Sequence, residues 1–222
     1  MRKKVDARIQ RLIENVQKAN QRGLFVIVGD RAKDVVVNIH FLLGKLGAKN
    51  TKKILWCYNK ELGFSSHKKR KMKEITSSMK NGNYDSLSEN PFDMFITTTD
   101  IQYCYYKDTQ NVLGNTYSML ILQDFEGITP NVLCRTVETV QGGGLVFLLV
   151  KSLTNLKQLY TMAMDVHKRF RTEAHQDVEP RFNERFILSL CKSSGCLFMD
   201  DEMNLLSVSS QTETIEPITV KF

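Results

Sequence analysis

The feature that most constrains this chain is a series of short, unbroken apolar runs: Leu24–Val28 (LFVIV), Ile54–Tyr58 (ILWCY), Met119–Leu122 (MLIL) and Leu145–Val150 (LVFLLV). A strand with one face in water alternates polar and apolar residues. A strand buried on both faces does not, and reads as a continuous Val/Ile/Leu run. Between these runs the apolar residues recur at helical spacing. Val5, Ile9, Leu12, Ile13 and Val16 predict a basic amphipathic helix to Ala19, and a second helical pattern covers Val35–Leu46 and ends at Gly47. Thr129-Pro130 predicts a capped helix start with proline at its favoured first position, running to Val140. Further helices are predicted over 66–79, 154–163 and 177–190. Further strands are predicted at Ile101–Tyr106, Cys196–Met199 and Asn204–Val208, and residues 83–91 read as a polar loop.

Alternating buried strands and helices predict an α/β fold: an open, mostly parallel sheet flanked by helices, of Rossmann or RecA type. The expected organisation is a basic N-terminal helix over 1–22, an α/β domain over 23–208 and, over 209–222, a polar tail or the start of a linker. With 222 residues, 42% hydrophobic and 25% charged, the chain is long enough to bury a substantial core. The longest uncharged apolar run, Gly144–Val150, is far short of the ~20 residues that span a bilayer. Arg2, Lys3 and Lys4 are followed by no apolar segment, so a secretory signal is not expected. The five cysteines, Cys57, Cys104, Cys134, Cys191 and Cys196, form no CxxC pair and read as buried, reduced thiols.

In open α/β folds ligands bind at the carboxyl ends of the strands. The first strand ends Gly29-Asp30-Arg31-Ala32-Lys33-Asp34. A phosphate loop needs GxxxxGK[ST], and no GK[ST] or GxGxxG occurs in the chain, so the fold is expected without a phosphate loop, with Asp30 or Asp34 as a helix cap. The fourth strand ends in Gln123-Asp124-Phe125-Glu126. Without a phosphate loop, these acids are expected to cap the next helix or to accept hydrogen bonds from neighbouring loops. Gly142-Gly143-Gly144 reads as a helix C-cap and tight turn. His167 and His175 bracket a basic stretch, but residues 165–185 balance five bases with five acids and read as an ion-pair lattice. No HExxH or comparable metal spacing appears. Tyr103 and Tyr105 fall on one strand face and Tyr106 on the other, and core or interface packing is the expected use over base stacking.

The charge is concentrated. Arg2, Lys3, Lys4, Arg8 and Arg11 against Asp6 give residues 1–11 a net +4. Lys68, Lys69, Arg70, Lys71 and Lys73 give SHKKRKMK (66–73) a net +5. Together they exceed the whole-chain +7, so the other 203 residues sum to −2. Such patches attract phosphate backbones. Nuclear localisation, docking to an acidic partner and a solvated face are the alternatives.

Long stretches of the chain resemble the N-terminal region of eukaryotic RNA cytidine acetyltransferases: RKKVDARI, LFVIVGDRA, ILWCYNKELGFSSHKKRK, VLGNTYSMLILQDFEGITPNVLCRTVETVQGGGLV, LKQLYTMAMDVHKRFRTEAH and RFNERFILSL. Gly127, Gln141 and Glu179-Pro180 depart from the family pattern, which has Ala, Glu and a small aliphatic pair there. The resemblance implies nucleolar enzymes that form N4-acetylcytidine in 18S ribosomal RNA and in tRNA, using acetyl-CoA and ATP with Mg²⁺. It places the phosphate loop and acetyl-CoA motifs downstream of this region. No catalytic, cofactor-binding or metal-binding residue is therefore expected here. The implied partners are pre-rRNA, tRNA, the helicase-like and acetyltransferase modules that follow, and proteins of the small-subunit pre-ribosome. No membrane partner is expected. The RNA contacts expected are Lys68, Lys69, Arg70, Lys71 and Lys73, then Arg2, Lys3 and Lys4. A docking module with no direct RNA contact is the alternative. An autonomous small enzyme would have only Asp124 and Glu126 to work with.

Overall fold

A computed structural model describes residues 5–46, 53–60, 91–153, 172–174, 176, 181–208, 213 and 215–218. The predicted helices over 66–79 and 154–163, the loop residues 83–90, both histidines of interest and most of the 165–185 stretch lie outside them.

The elements alternate. Helix α1 (Ala7–Ala19) leads to β1 (Gly23–Val28), α2 (Ala32–Lys45) and β2 (Ile54–Tyr58). Then come α3 (Pro91–Thr98), β3 (Ile101–Tyr105), a 3₁₀ segment (Tyr106–Val112) and β4 (Tyr117–Leu122). A second 3₁₀ turn (Phe125–Gly127), α4 (Pro130–Val137), β5 (Val140–Val150), α5 (Arg181–Cys191) and β6 (Cys196–Asp200) complete the order. The six strands form one sheet in the order β3-β2-β4-β5-β1-β6, and every neighbouring pair is parallel. The expected open parallel α/β fold is what the chain adopts.

The continuous apolar strands are explained by cover on both faces. Phe25, Ile27, Trp56, Ile121 and Phe147 pack toward α1, α2 and α3. Val26, Leu55, Leu120 and Leu148 pack toward the 3₁₀ segments, α4 and α5. The Phe25 and Phe147 rings stack at 5.5 Å across the β1–β5 pair. Truncating either to alanine removes an interior ring and costs about 3–5 kcal/mol.

Several elements differ from expectation. Helix α3 replaces the start of open chain at Pro91. Residues 204–208 form no strand; Leu205 makes a single antiparallel bridge to Met199, and the Leu206 N–H donates to Phe198 O. This turn covers the free edge of β6, a place where an unpaired strand would invite association. Helix α4 stops at Val137, and the three glycines lie inside β5. Gly142 and Gly143 let the end of α1 approach the sheet, and Gly144 lets β5 lie close to the backbone of β4. A Cβ on Gly142 would sit 2.4 Å from Asn20 Oδ1, one on Gly144 would sit 2.7 Å from Ser118 O, and Gly143 has φ +78°. Neither Asp30 nor Asp34 caps α2, whose N-cap residue is Arg31 with no side-chain cap bond. Of the cysteines, Cys57, Cys104 and Cys196 are buried thiols, whereas Cys134 is exposed and Cys191 half-buried. No helix among the described residues is long and apolar enough to cross a membrane.

Candidate functional site

The strand order decides where a ligand edge falls. The chain leaving β2 goes outward to β3, and the chain leaving β4 goes the other way to β5. That reversal places a crevice at the carboxyl ends of β2 and β4, the position where open α/β sheets bind ligands. In this protein the crevice is closed by its own side chains. Asp124, at φ 58°, turns its carboxylate back across the gap, and Oδ2 accepts the backbone N–H groups of Asn59 (3.1 Å) and Lys60 (2.9 Å). Trp56 Nε1 donates to Gln123 Oε1, and the Tyr106 hydroxyl donates to Gln123 O. Gly127 packs directly against the Asn59 side chain, where a Cβ would approach Nδ2 to 2.7 Å. An alanine at this position requires Asn59 to shift.

The exit of β1 is closed in a similar way. Gly29 has φ +145°, and a Cβ there would lie 2.5 Å from Asp201 Cγ. The Asp201 carboxylate accepts the Arg31 N–H at 3.2 Å, at the start of α2, and lies 3.9 Å from Arg31 Nε. A helix N-terminus favours negative charge, and here the chain supplies its own. Lys33, in the first turn of α2, is half-buried; desolvation lowers its pKa, opposed by the attraction of Asp124. Lys151, just beyond β5, pairs with Glu126 at 3.6 Å. Asp124 and Glu126 thus accept from neighbouring loops and a lysine, one of the two expected uses; Asp124 stands at the N-cap of the second 3₁₀ turn without a side-chain cap bond, and α4 is capped by Thr129 instead.

At the β2–β3 end of this edge lies an aromatic pair. Tyr58 and Tyr105 are register partners, with ring centroids 4.3 Å apart. Tyr58 is buried, and burial, with its hydrogen-bonded neighbour Tyr105, pushes its phenol up to about 12. Tyr105 is 42% exposed, and Lys107 Nζ sits 5.2 Å from its ring centre. Tyr106 faces the opposite core, and Tyr103 packs beside Trp56 at 6.4 Å. The predicted split of the three tyrosines holds, with Tyr105 presented to solvent.

Lys68, Lys69, Arg70, Lys71, Lys73, Arg2, Lys3 and Lys4 all lie outside the described residues. Of the basic residues at the start, Arg8 and Arg11 are described. Arg8 is paired with Asp6 at 2.8 Å, and that hydrogen bond holds the Asp6 carboxyl below its ordinary range. Among the described residues no group of three His, Cys, Asp or Glu side chains could hold a metal. Lys33, Asp201 and the Tyr58–Tyr105 pair are features that sequence patterns miss, since each depends on strand order.

The profile described as "tRNA(Met) cytidine acetyltransferase TmcA, N-terminal" matches residues 1–201. The RNA cytidine acetyltransferase of Homo sapiens is 56% identical over 217 residues, covering 98% of this chain and 21% of the relative. That of Dictyostelium discoideum is 57% identical and covers 97% of this chain, and that of Saccharomyces cerevisiae is 50% identical and covers 99%. The chain belongs to the RNA cytidine acetyltransferase family. It is the N-terminal domain of such a protein, and it spans about a fifth of the length of the curated relatives it matches. In this RNA cytidine acetyltransferase domain, Asp124 and Asp201 accept backbone N–H groups at the edge where a nucleotide-binding sheet presents its ligand.

Proposed function

We propose that this domain is the RNA-facing scaffold of an RNA cytidine acetyltransferase that forms N4-acetylcytidine in 18S ribosomal RNA and in tRNA. In this reading the enzyme acts in small-subunit ribosome biogenesis in the nucleolus. The domain's task is positioning: it helps hold the substrate RNA so that a cytidine N4 meets the acetyl thioester in another module. The observation that carries the reading is a near-complete match to RNA cytidine acetyltransferases in a chain whose positive excess is confined to residues 1–11 and 66–73.

Acetyl-CoA and ATP with Mg²⁺ belong to the modules that follow. Two features support that assignment. The sequence holds no GK[ST], and the carboxylates of Asp124 and Asp201 occupy the backbone N–H groups at the strand exits. These residues do not fit a bound triphosphate, and no catalytic step is assigned to them. The test is a filter-binding titration across salt concentrations. Neutralising Lys68, Lys69, Arg70 and Lys71 lowers RNA affinity and flattens the log K against log salt slope by about one per lost phosphate contact. An unchanged slope rejects the reading.

A second reading, a module that docks pre-ribosomal proteins or the enzyme's own helicase-like and acetyltransferase modules, draws on a different surface. Between α2 and α3 runs a groove of about 470 Å³ lined by Val37, His40, Phe41, Met94 and Phe95. Phe41 is 61% exposed beside it, with Lys45 Nζ 4.6 Å from its ring. Partner capture that survives RNase and is lost in Phe41→Glu favours docking.

A further inference from the structure

The RNA-facing reading names charges but no base contact, and the β2–β3 edge supplies one. The two neighbouring strands end alike. Tyr58-Asn59-Lys60 closes β2 and Tyr105-Tyr106-Lys107 closes β3, with Tyr58 and Tyr105 in register. Each strand therefore delivers a tyrosine and, two residues later, an exposed lysine to the same end of the sheet. We propose that Tyr105, backed by Tyr58 and flanked by Lys60 and Lys107, is a stacking platform for an unpaired base of single-stranded RNA. This deepens the proposed function and rests on it.

Three features suit the site to that ligand. The buried Tyr58 ring packs beside Tyr105, tilted 45° to it, so the exposed ring is held in place before a base arrives. A base–aromatic stack needs a presented π-face with cations within reach of the flanking phosphates. Lys107 Nζ lies over the Tyr105 ring, 5.2 Å from its centre, and in the proposed complex it swings off that face to a flanking phosphate as the base takes its place; Lys60 is fixed through its backbone by Asp124. The two acids nearby do not cancel these cations equally. Asp124 is spent on two N–H groups, whereas Asp108 is half-buried in the first 3₁₀ turn. Among the described residues β3 is an edge strand, paired on one side only by β2.

The test uses the purified protein, a ten-nucleotide oligouridine carrying one 2-aminopurine, and a fully paired RNA duplex as competitor. Stacking on Tyr105 quenches the 2-aminopurine fluorescence. Tyr105→Ala abolishes the quench and weakens single-strand binding on the order of tenfold, Tyr105→Phe keeps both, and duplex RNA competes poorly. Lys60→Ala and Lys107→Ala each reduce the salt slope by about one and leave the quench in place. Tyr105 is exposed, so its loss does not threaten folding, and a thermal unfolding curve confirms that in the same samples. If Tyr105→Ala binds and quenches like the parent while neutralising Lys68–Lys71 still weakens binding, the platform is wrong and the RNA reading stands. If neither change alters binding, the RNA reading itself falls, and the platform with it.

Discussion

Asp124 holds the main-chain N–H of Lys60 at 2.9 Å, joining the exit of β4 to the exit of β2 across the sheet's point of reversal. The same oxygen takes the Asn59 N–H at 3.1 Å, and the residue accepts a left-handed backbone, φ 58°, to do so. Asp124→Ala gives up both bonds, whose donors lie at the surface and turn to water, and keeps the unfavourable backbone. The expected cost is about 1–2 kcal/mol. Asp124→Asn loses less, because its amide oxygen still accepts and asparagine tolerates this conformation. Asp124→Gly falls between, regaining about 1 kcal/mol of backbone strain. Urea unfolding at matched m-values ranks the three.

The glycines of β5 carry a second prediction. Gly144 faces the backbone of β4: an added Cβ would lie 2.7 Å from Ser118 O and 2.6 Å from Val140 Cγ1. A backbone oxygen cannot swing aside, and β4 and β5 already shift register between Tyr117 and Met119. Gly144→Ala is expected to cost at least about 2 kcal/mol by overpacking. Gly44→Ala, on α2 with nothing within 4 Å of the new atom, is the control and is expected to stabilise by a few tenths to about 1 kcal/mol. Thermal melts of the two single variants separate a steric effect from a general intolerance of alanine.

Much of this architecture is legible in the chain because the signal is local. The run Ile54–Tyr58 is predicted and observed with identical bounds, since five buried residues in a row have few other uses. Thr129 accepts the Val132 N–H as its capping position predicts. Helix α3 escapes because its eight residues, PFDMFITT, are too short for a 3.6-residue period to declare itself and end in β-branched threonines. Gly142–Gly144 are misread because glycine after a helix usually caps it. Here they are demanded by Asn20 and Ser118, remote in sequence, and no local rule reports that contact. The edge chemistry fails for the same reason. Lys33 meets Asp124, Asp201 meets Arg31 and Tyr58 meets Tyr105 through strand order, which composition and spacing do not encode.

His40 makes stability depend on pH in a defined direction. Its ring packs edge-on against Phe95 at 5.0 Å, its Nε2 is buried without a hydrogen-bond partner, and burial lowers its pKa below 6.5. A depressed pKa means the unfolded chain binds the proton more readily. The contribution of the neutral ring is therefore complete above about pH 6.5 and is lost as pH falls through the folded value. His40→Leu removes this dependence. Between pH 7.5 and 5.5 the parent protein is expected to lose more unfolding free energy than the variant, read as the difference between their two denaturation midpoints. Equal losses would show that the imidazole titrates alike in both states.

Asn15 predicts how the polypeptide leaves the domain. This buried side chain on α1 uses both ends of its amide: Nδ2 donates to Glu216 O at 2.7 Å and Oδ1 accepts the Ile218 N–H at 2.9 Å. Ile215 is buried against the same helix. The clamp itself reads backbone alone, and the buried Ile215 side chain adds an anchor to the path of residues 215–218. Asn15→Ala removes both bonds and strands one donor and one acceptor of the segment, a loss of about 1–3 kcal/mol confined to it. The Ile218 amide is then expected to exchange with solvent on the order of tenfold faster or more, while amides of β1 and β5 keep their protection. Asn15→Asp separates the two halves of the clamp. It retains an acceptor for Ile218 and loses the donor to Glu216, so it should slow exchange at Ile218 relative to the alanine variant.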